Sequence, residues 1–535
     1  MLSELQPVLV DGAWRPARSP RGRFHAVNPA TGEDLPDSYP TSSFEDLEEA
    51  LVAARRTAFE LEALSPDAIA SFLDRFAERI LERADEIVAA AHLETALPAE
   101  PRLRLTELPR TTNQLHQAAA AARDRSWCRA TIDEKLNIRS KYGPLGGPVV
   151  IFSPNNFPLA FNSATGGDFA AAVAAGNPVV AKAHPGHPGT TKLFAEITLG
   201  CLKETGLPPA MLQMVYHLTP EDGLKLVSHP IVGATAFTGS RPAGLGLKAA
   251  AERAGKPIYL EMSASNPVFV LPGALRERGS EIASELFASC SLGAGQFCTK
   301  PGLVIVLRDA RAREFENTLR KLFEQPPSGF LLSRTVVEGL RSAVDRMTRS
   351  GANVLAGGRS LEGPGFRFEN TLLKTSGKRL LAHPAAFQNE AFGTATLLVC
   401  CENTNEMGDV CTALEGNLSA SIYSARNGDD DPLYRRIEPV LRTKVGRLLN
   451  DKMPTGIAVV PSMVHGGPFP AAGHPGFTAV GFPASMLRFA ALRCYDNVRP
   501  DRLPPELRDR NPTGTMWRLI NGDWTKRDLS SATSE

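Results

Sequence analysis

A cysteine, a carboxylate and an amide in this 535-residue sequence have the right types for covalent acyl chemistry. Cys298 lies in GAGQFCT at 293–299, where flanking glycines let the backbone approach a ligand closely and present a thiol. An isolated cysteine is more often a buried filler, so Cys298 is a candidate nucleophile only if the rest of the chain supports it.

Glu261 ends the apolar run IYLE at 258–261, and Asn156 lies in SPNNFP at 153–158. A carboxylate at the carboxyl end of a strand is well placed as a general base, although a surface ion pair is the alternative. The Asn156 amide could donate to an oxyanion or cap the next helix. Neither residue identifies a function alone.

The segment GSRPAG at 239–244 follows an apolar run and precedes a helical pattern. A strand, a glycine-rich turn and a helix suit a phosphate on the helix N-terminus, which makes Gly239, Ser240 and Gly244 candidate phosphate-binding residues. No GxGxxG occurs at this junction, so the usual dinucleotide fingerprint gives no support.

Apolar runs of strand length alternate with helical patterns, which predicts βαβ units and parallel sheets. The expected strands cover 149–152, 178–183, 231–237 and 258–260. A helix is expected from Pro66, and another over 189–204 with Thr190 as its cap. The polar run at 128–147 predicts a hairpin, and the tail beyond 497 is expected to wrap over a surface without forming a core.

The composition argues for a small-molecule ligand. Lys and Arg total 59 against 58 Asp and Glu, so no broad field would attract nucleic acid or a membrane surface. No long uninterrupted apolar run or secretory signal is evident, which predicts a cytoplasmic protein. The eight cysteines are scattered without CxxC or paired histidines, so we predict reduced thiols and no metal.

Six motifs occur together in a characteristic order: NNFP at 155–158, PVVAK at 178–182, FTGSxxxG at 237–244, LE at 260–261, GQFC at 295–298 and ExFG at 390–393. In this order the sequence resembles the aldehyde dehydrogenase superfamily over essentially its whole length. Further segments, including SPNNFPLAF at 153–161 and MVHGGPFPA at 463–471, resemble the branch that oxidises α-ketoglutaric semialdehyde (2,5-dioxopentanoate).

The resemblance implies a role for each catalytic candidate. Cys298 would attack the aldehyde, the Asn156 amide and the Cys298 N–H would hold the oxyanion, and Glu261 would activate water to hydrolyse the thioester. Another semialdehyde or a medium-chain aliphatic aldehyde stays open as substrate. A CoA-acylating enzyme and a catalytically silent binding protein are the rival functions. His465 is interpreted either as a substrate-side residue or as a structural loop histidine.

The resemblance also implies an NAD(P) site. Its residues would be Lys182, His184, Gly239, Ser240, Gly244, Glu390 and Phe392. Many NAD-preferring members have a glutamate three residues after the matching lysine, whereas this chain has Pro185. We therefore predict that NADP is accepted and preferred over NAD.

The expected fold class is α/β, with two α/β domains and a small β oligomerisation element. The predicted limits are 1–117 and 142–264 for a Rossmann-like cofactor domain, and 265–478 for the catalytic domain. Residues 118–141 and 479–535 would form the oligomerisation element and C-terminal tail. By resemblance, this element pairs subunits into a homodimer or homotetramer.

Overall fold

The computed structural model describes residues 4–529. Residues 1–3 and 530–535, the outer ends of the predicted cofactor domain and C-terminal tail, lie outside the described residues. Within the described chain, no helix combines the length and apolarity that crossing a membrane requires.

The strands in chain order are β1 (Val8–Val10), β2 (Ala13–Arg15), β3 (Gly22–Asn28), β4 (Glu33–Thr41), β5 (Thr131–Asp133), β6 (Ile138–Gly143), β7 (Val149–Phe152), β8 (Val179–Lys182), β9 (Leu212–Val215), β10 (Ala234–Thr238), β11 (Ile258–Glu261), β12 (Pro267–Val270), β13 (Leu303–Leu307), β14 (Asn353–Ala356), β15 (Thr371–Ser376), β16 (Ala395–Cys401), β17 (Asn417–Tyr423), β18 (Val445–Asn450), β19 (Ala491–Asp496), β20 (Arg518–Ile520) and β21 (Asp523–Thr525).

The α-helices are α1 (Phe44–Glu62), α2 (Pro66–Glu82), α3 (Ala84–Thr95), α4 (Leu108–Asp124), α5 (Gly167–Ala174), α6 (Pro188–Thr205), α7 (Pro220–Val227), α8 (Arg241–Arg253), α9 (Pro272–Ser291), α10 (Ala310–Phe323), α11 (Arg334–Arg349), α12 (Gly377–Ala382), α13 (Pro384–Phe387), α14 (Thr404–Ala413) and α15 (Asp431–Leu441).

The first sheet has the order β11-β10-β7-β8-β9-β1-β2. Strands β7 to β11 run parallel, and β1 and β2 add an antiparallel edge. The parallel strands are apolar and almost fully buried, because helices cover both faces of such a sheet. The alternation of strands and helices expected from the sequence is therefore confirmed, although β10 begins at Ala234 and not at 231.

The carboxyl ends of four strands meet at one edge of this sheet. In the register, Phe152 is opposite Lys182, and Thr238 is opposite Glu261. The loops after β7, β8, β10 and β11 therefore start side by side, as they do at ligand-binding edges of open α/β sheets.

The second sheet has the order β14-β15-β16-β13-β12-β17-β18, with only β14 antiparallel. Apolar clusters cover its two faces, one centred on Phe269, Leu397 and Phe387 and the other on Phe315 and Leu398. Cys298 lies in the connection between α9 and β13. This sheet confirms the second α/β unit of the fold class.

A third sheet, β19-β6-β5-β20-β21, combines the middle and the end of the chain. Strands β5 and β6 form the expected hairpin, with Thr131 opposite Ser140. The prediction for the tail was wrong, because Leu503, Leu507 and Met516 pack with Cys128 and other residues into a small core. Arginines and prolines masked this pattern, since the apolar residues are spaced irregularly along the tail.

The helix expected over 189–204 is confirmed as α6, but its cap was predicted incorrectly. The helix begins at Pro188, and its cap comes from α3 and not from Thr190. The Glu94 carboxylate accepts from the N–H groups of Gly189 (2.7 Å) and Thr190 (2.9 Å), and from Thr190 Oγ1 (2.6 Å). Despite these bonds, burial raises the pKa of Glu94 to about 7.

Candidate active site

The loop that carries Cys298 has an unusual backbone with a clear local cause. Gly293, Ala294 and Gly295 are consecutive left-handed residues with φ of 58°, 54° and 72°. A β-carbon at Gly295 would lie 2.2 Å from the carbonyl carbon of Gly393, so only glycine allows this close approach. The turn leaves Cys298 partly buried, while Cys494 is the one exposed thiol among the described residues and the other six are buried.

Asn266 holds the loop that carries Cys298, called here the nucleophile loop, in place by hydrogen bonds. Its Nδ2 donates to the carbonyl oxygens of Cys298 (2.7 Å) and Lys300 (3.1 Å). Its Oδ1 accepts from the backbone N–H and the hydroxyl of Ser419 on β17. The loop is therefore tied to the second sheet by a buried amide. The sequence pattern alone indicated no role for Asn266.

Glu261 lies at the end of β11 and faces the same cleft. Its Oε2 accepts a 2.6 Å hydrogen bond from His465 Nδ1. Its Oε1 is buried and has no hydrogen-bond partner within residues 4–529. One carboxylate oxygen is therefore engaged by the protein, and the other is free to accept a proton from a small molecule.

His465 connects Glu261 to Cys298. Its Nε2 lies 3.2 Å from Cys298 Sγ, while Nδ1 faces the carboxylate. Burial disfavours a charged ring, but the proximity of Glu261 and Cys298 outweighs burial and raises the pKa of His465. The imidazole is therefore placed to take the thiol proton. Neither sequence interpretation of His465 included this contact, because the two partners are 204 and 167 positions away.

Glycines next to His465 explain how its loop reaches the cleft. A β-carbon at Gly467 would lie 2.1 Å from the carbonyl oxygen of Asn417, and one at Gly466 would lie 2.6 Å from the Thr478 side chain. The paired glycines of MVHGGPFP thus allow the loop to press against β17. They were the available signal that the preceding histidine is held in a defined position.

Asn156 lies beside the nucleophile loop. The residue is 7% exposed, and its Nδ2 donates to the carbonyl oxygen of Gln296 at 2.8 Å. Its own carbonyl oxygen accepts from Arg102 at 3.1 Å. Asn156 is therefore fixed to Gln296, which precedes Cys298 by two residues in the neighbouring loop.

Lys182 is the last residue of β8, and His184 follows in the loop after the strand. Lys182 has no acidic partner among the ion pairs of the described residues, and burial lowers its pKa to about 8. His184 Nδ1 accepts from Gly186 N at 3.0 Å, and its ring stacks on His187 with centroids 5.3 Å apart. A partly buried cation without an anionic partner fits a phosphate or ribose ligand.

Gly239 and Ser240 form the turn from β10 into α8. Gly239 N donates to the carbonyl oxygen of Glu261 at 3.1 Å, and Ser240 makes no side-chain cap to the helix. The N-terminal N–H groups of α8 are therefore free of a capping side chain, as an anion site requires. Gly244 is a packing position: a β-carbon there would lie 2.9 Å from Met262 Sδ.

Glu390 and Phe392 lie in the loop before β16. Burial raises the pKa of Glu390 to about 7, although a hydrogen bond with Ser263 and the charges of Lys300 and Arg241 oppose it. Glu390 also lines a small cavity with Ser265 and Lys300, close to the nucleophile loop. Both residues belong to the connection that leads into β16 of the second sheet.

The structure places a Cys-His-carboxylate chain between the two α/β sheets. The Glu261, Cys298 and His465 ligand atoms all lie within 4.8 Å of one another. Such a chain generates a nucleophilic thiolate, because the imidazole takes the proton and the carboxylate stabilises the resulting charge.

Comparison with known proteins identifies the family. A sequence model of the aldehyde dehydrogenase family matches residues 14–438. "Alpha-ketoglutaric semialdehyde dehydrogenase 2" of Azospirillum brasilense is 37% identical over 504 residues, which cover 92% of this chain and 94% of the relative. "Alpha-ketoglutaric semialdehyde dehydrogenase" of Acinetobacter baylyi is 32% identical over 525 residues, covering 94% of this chain and 98% of the relative.

Solved structures share the fold. Lactaldehyde dehydrogenase from Escherichia coli superposes with a TM-score of 0.78 at 23% identity, over 92% of this chain and 98% of that one. PnpE from Pseudomonas, solved in complex with nicotinamide adenine dinucleotide, superposes with a TM-score of 0.78 at 21% identity. The superposition covers 93% of this chain and 99% of PnpE. The chain therefore belongs to the aldehyde dehydrogenase family, whose members are NAD(P)-dependent oxidoreductases acting on aldehydes. The family, fold class and enzyme class predicted from the motifs are confirmed.

Proposed function

We propose that the protein oxidises 2,5-dioxopentanoate to 2-oxoglutarate through a thioester on Cys298. The carrying observation is the contact of Cys298 Sγ with His465 Nε2 at 3.2 Å, together with the 2.6 Å bond from Nδ1 to Glu261. Two relatives named for α-ketoglutaric semialdehyde oxidation, similar over more than nine tenths of this chain, support the substrate.

In the first half-reaction, Cys298 adds to the aldehyde carbon while His465 Nε2 takes the thiol proton. The Asn156 amide and the Cys298 N–H stabilise the resulting oxyanion of the thiohemiacetal. The Asn266 clamp on the Cys298 carbonyl holds the loop so that Sγ faces this position. Oxidation to the thioester needs a two-electron acceptor, which a bound NAD(P) supplies.

In the second half-reaction, water attacks the thioester carbon and Glu261 takes its proton. Oε1 is the oxygen for this step, because Oε2 is already bonded to His465. Cys298 leaves as a thiolate beside the protonated imidazole, which lowers the cost of the departing charge. The free oxygen favours hydrolysis over transfer of the acyl group to coenzyme A, because acyl transfer to a thiol needs no activated water.

The cofactor residues fit NAD(P), and we infer a preference for NADP. Lys182 and His184 would hold the adenosine ribose or its 2′-phosphate, Gly239, Ser240 and the start of α8 the pyrophosphate, and Glu390 with Phe392 the nicotinamide ribose. The partnerless Lys182 offers positive charge, and Pro185 brings no carboxylate to repel a phosphate. Replacing Pro185 with Glu should lower kcat/KM for NADP at least tenfold and spare that for NAD.

We also propose that the third sheet pairs subunits into a homodimer or homotetramer, in a compartment that keeps Cys298 reduced, as the cytoplasm does. Leu492, Trp517 and Trp524 on or beside this sheet are 61%, 46% and 55% exposed, which is high for large apolar side chains. Light scattering would measure the mass in solution.

An aldehyde panel tests the proposed function. We expect 2,5-dioxopentanoate to give the highest kcat/KM, the carboxylic acid to form without coenzyme A, and C298A to bind the dinucleotide without turnover. Turnover by C298A, or a product that forms only with coenzyme A, would overturn the mechanism. A better kcat/KM with unsubstituted aliphatic aldehydes would overturn the substrate assignment.

A further inference from the structure

Arg110 is a partly buried cation that has no anionic partner within the described residues. It lies in the first turn of α4, and its one side-chain hydrogen bond is a long 3.4 Å contact from Nε to Gln114 Oε1. Its Nη2 is buried without a hydrogen-bond partner, and no carboxylate of residues 4–529 forms an ion pair with it. An unpaired guanidinium in such a place costs free energy, so it needs an explanation.

The nearest acidic residue is already used by the protein. Glu107 Oε2 pairs with Arg102, and Glu107 Oε1 accepts from the N–H groups of Leu159 (2.8 Å) and Ala160 (2.9 Å). Arg102 thus has a structural partner, and it also donates to the Asn156 carbonyl. Arg110 is left with unfilled donors in the same neighbourhood.

An aromatic wall joins Arg110 to the reacting groups. Its guanidinium lies 4.9 Å from the ring centroid of Phe161 and 5.5 Å from that of Phe157. The Phe161 ring lies 5.9 Å from the His465 ring, and the Phe157 ring lies 5.2 Å from that of Phe297, the residue before Cys298. The charge of Arg110 is therefore one aromatic layer away from the nucleophile.

A second arginine near Cys298 has partners of its own. Arg447 donates to the carbonyl oxygens of Gly456, at 3.0 Å, and Pro454. Burial lowers the pKa of Arg447 and of Arg110, and nearby negative groups oppose the shift in both: Cys298 for Arg447, and Glu107, Cys298 and Glu261 for Arg110. Only Arg110 combines proximity to the site with a buried, partnerless Nη2.

We propose that Arg110 binds the carboxylate of a short semialdehyde whose aldehyde carbon lies at Cys298. This assignment rests on the proposed function and extends it by naming the group that recognises the substrate's far end. A guanidinium offers two parallel N–H donors to a carboxylate, and Phe157 and Phe161 would line the space between the two ends. The substrate class is therefore an aldehyde with a carboxylate a few carbons away.

The test compares R110M and R110K with R123M. Arg123 lies on the same helix, is partly exposed and pairs with Asp74 at 2.6 Å, so R123M controls for loss of a cation from α4. The substrates are 2,5-dioxopentanoate, succinic semialdehyde and uncharged pentanal. A charge-assisted hydrogen bond corresponds to about a tenfold to 150-fold change in affinity.

For R110M we expect kcat/KM for both semialdehydes to fall by about that factor, mainly through KM, with pentanal unchanged or improved. The kcat/KM of R110K for the semialdehydes should fall less, because lysine keeps the positive charge but lacks the two parallel N–H donors of the guanidinium. R123M should match the wild type with all three substrates. Glutarate should also protect Cys298 from iodoacetamide in the wild type and not in R110M, which reports binding without turnover.

The proposal would be overturned if R110M lost kcat/KM equally for pentanal and for the semialdehydes. Full protection of Cys298 by glutarate in R110M would also overturn it. Unchanged semialdehyde kinetics in R110M would overturn it while leaving the proposed chemistry intact. If the wild type oxidised no aldehyde, or C298A stayed active, the proposed function itself would fail. The two failures are therefore distinguishable.

Discussion

The contact between His465 and Cys298 makes a quantitative prediction for thiol reactivity. Replacing His465 with Asn keeps a polar side chain but removes the base 3.2 Å from Sγ. At this separation, a thiolate and an imidazolium attract by about 5 kcal/mol at an effective dielectric constant of about 20, of which desolvation cancels a part. A remaining ~2 to 3 kcal/mol corresponds to about a hundredfold change in the reactivity of the thiol toward an electrophile.

The assay is alkylation of Cys298 by iodoacetamide at pH 7, performed in a C494S background. Cys494 is the exposed thiol of the described chain, so its removal leaves Cys298 as the accessible site. We expect H465N to react about a hundredfold more slowly and to lose a comparable factor in kcat/KM. H474Q is the matched control, because His474 lines the same pocket and packs against Tyr259 at a tilted angle, whereas no contact joins it to Cys298.

Two results would refute this reasoning. Alkylation of H465N at the wild-type rate would show that the imidazole does not hold the thiol proton. An equal slowing in H474Q would show that disturbance of the pocket, and not the relay, controls reactivity. Dinucleotide binding and the unfolding temperature of each variant report whether the fold is retained.

Further predictions concern the carboxylate, the cofactor cation and metal ions. E261Q should still form the thioester but hydrolyse it slowly, giving a burst of reduced cofactor equal to the enzyme followed by turnover at least a hundredfold slower; a linear trace at the wild-type rate would contradict this. Because burial lowers the pKa of Lys182 to about 8, its charge is present below pH 8 and lost above it. KM for NADP should therefore rise as pH increases through 8, while KM for NAD stays flat, and K182R should abolish the rise; parallel curves for both cofactors would exclude this role. Zinc should inhibit by binding the sulfur, nitrogen and oxygen ligands at Cys298, His465 and Glu261, with chelators restoring activity. H465N should be inhibited less, and equal inhibition of this variant would locate the metal elsewhere.

The sequence predicted the parallel strands well because their signal is local. Three of the four expected strands, 149–152, 178–183 and 258–260, agree with the structure to within one residue at each end, whereas β10 begins three residues later than expected. Motif order then led to the family, since spacing along the chain survives divergence. The cap of α6 was missed because Glu94 lies on another helix.

The candidate site was predictable for residues carried by motifs and not for those defined by distant contacts. Cys298 and Glu261, which lie close together in the structure, were both identified from the family motifs. His465 became part of the relay only through contacts across more than 160 positions, and Arg110 stood out only because its donors are unfilled. An absent partner leaves no trace in a linear pattern.

Glu94, the residue of α3 that caps α6, connects a helix without a proposed catalytic role to the loop proposed to bind the cofactor. Glu94 belongs to α3. The segment that it binds is the start of α6, which follows the loop after Lys182. Any drift of α3 therefore shifts the scaffold on which the dinucleotide's adenosine end would rest. Substitutions on α3 would therefore change the affinity for the coenzyme more than they change the reactivity of Cys298.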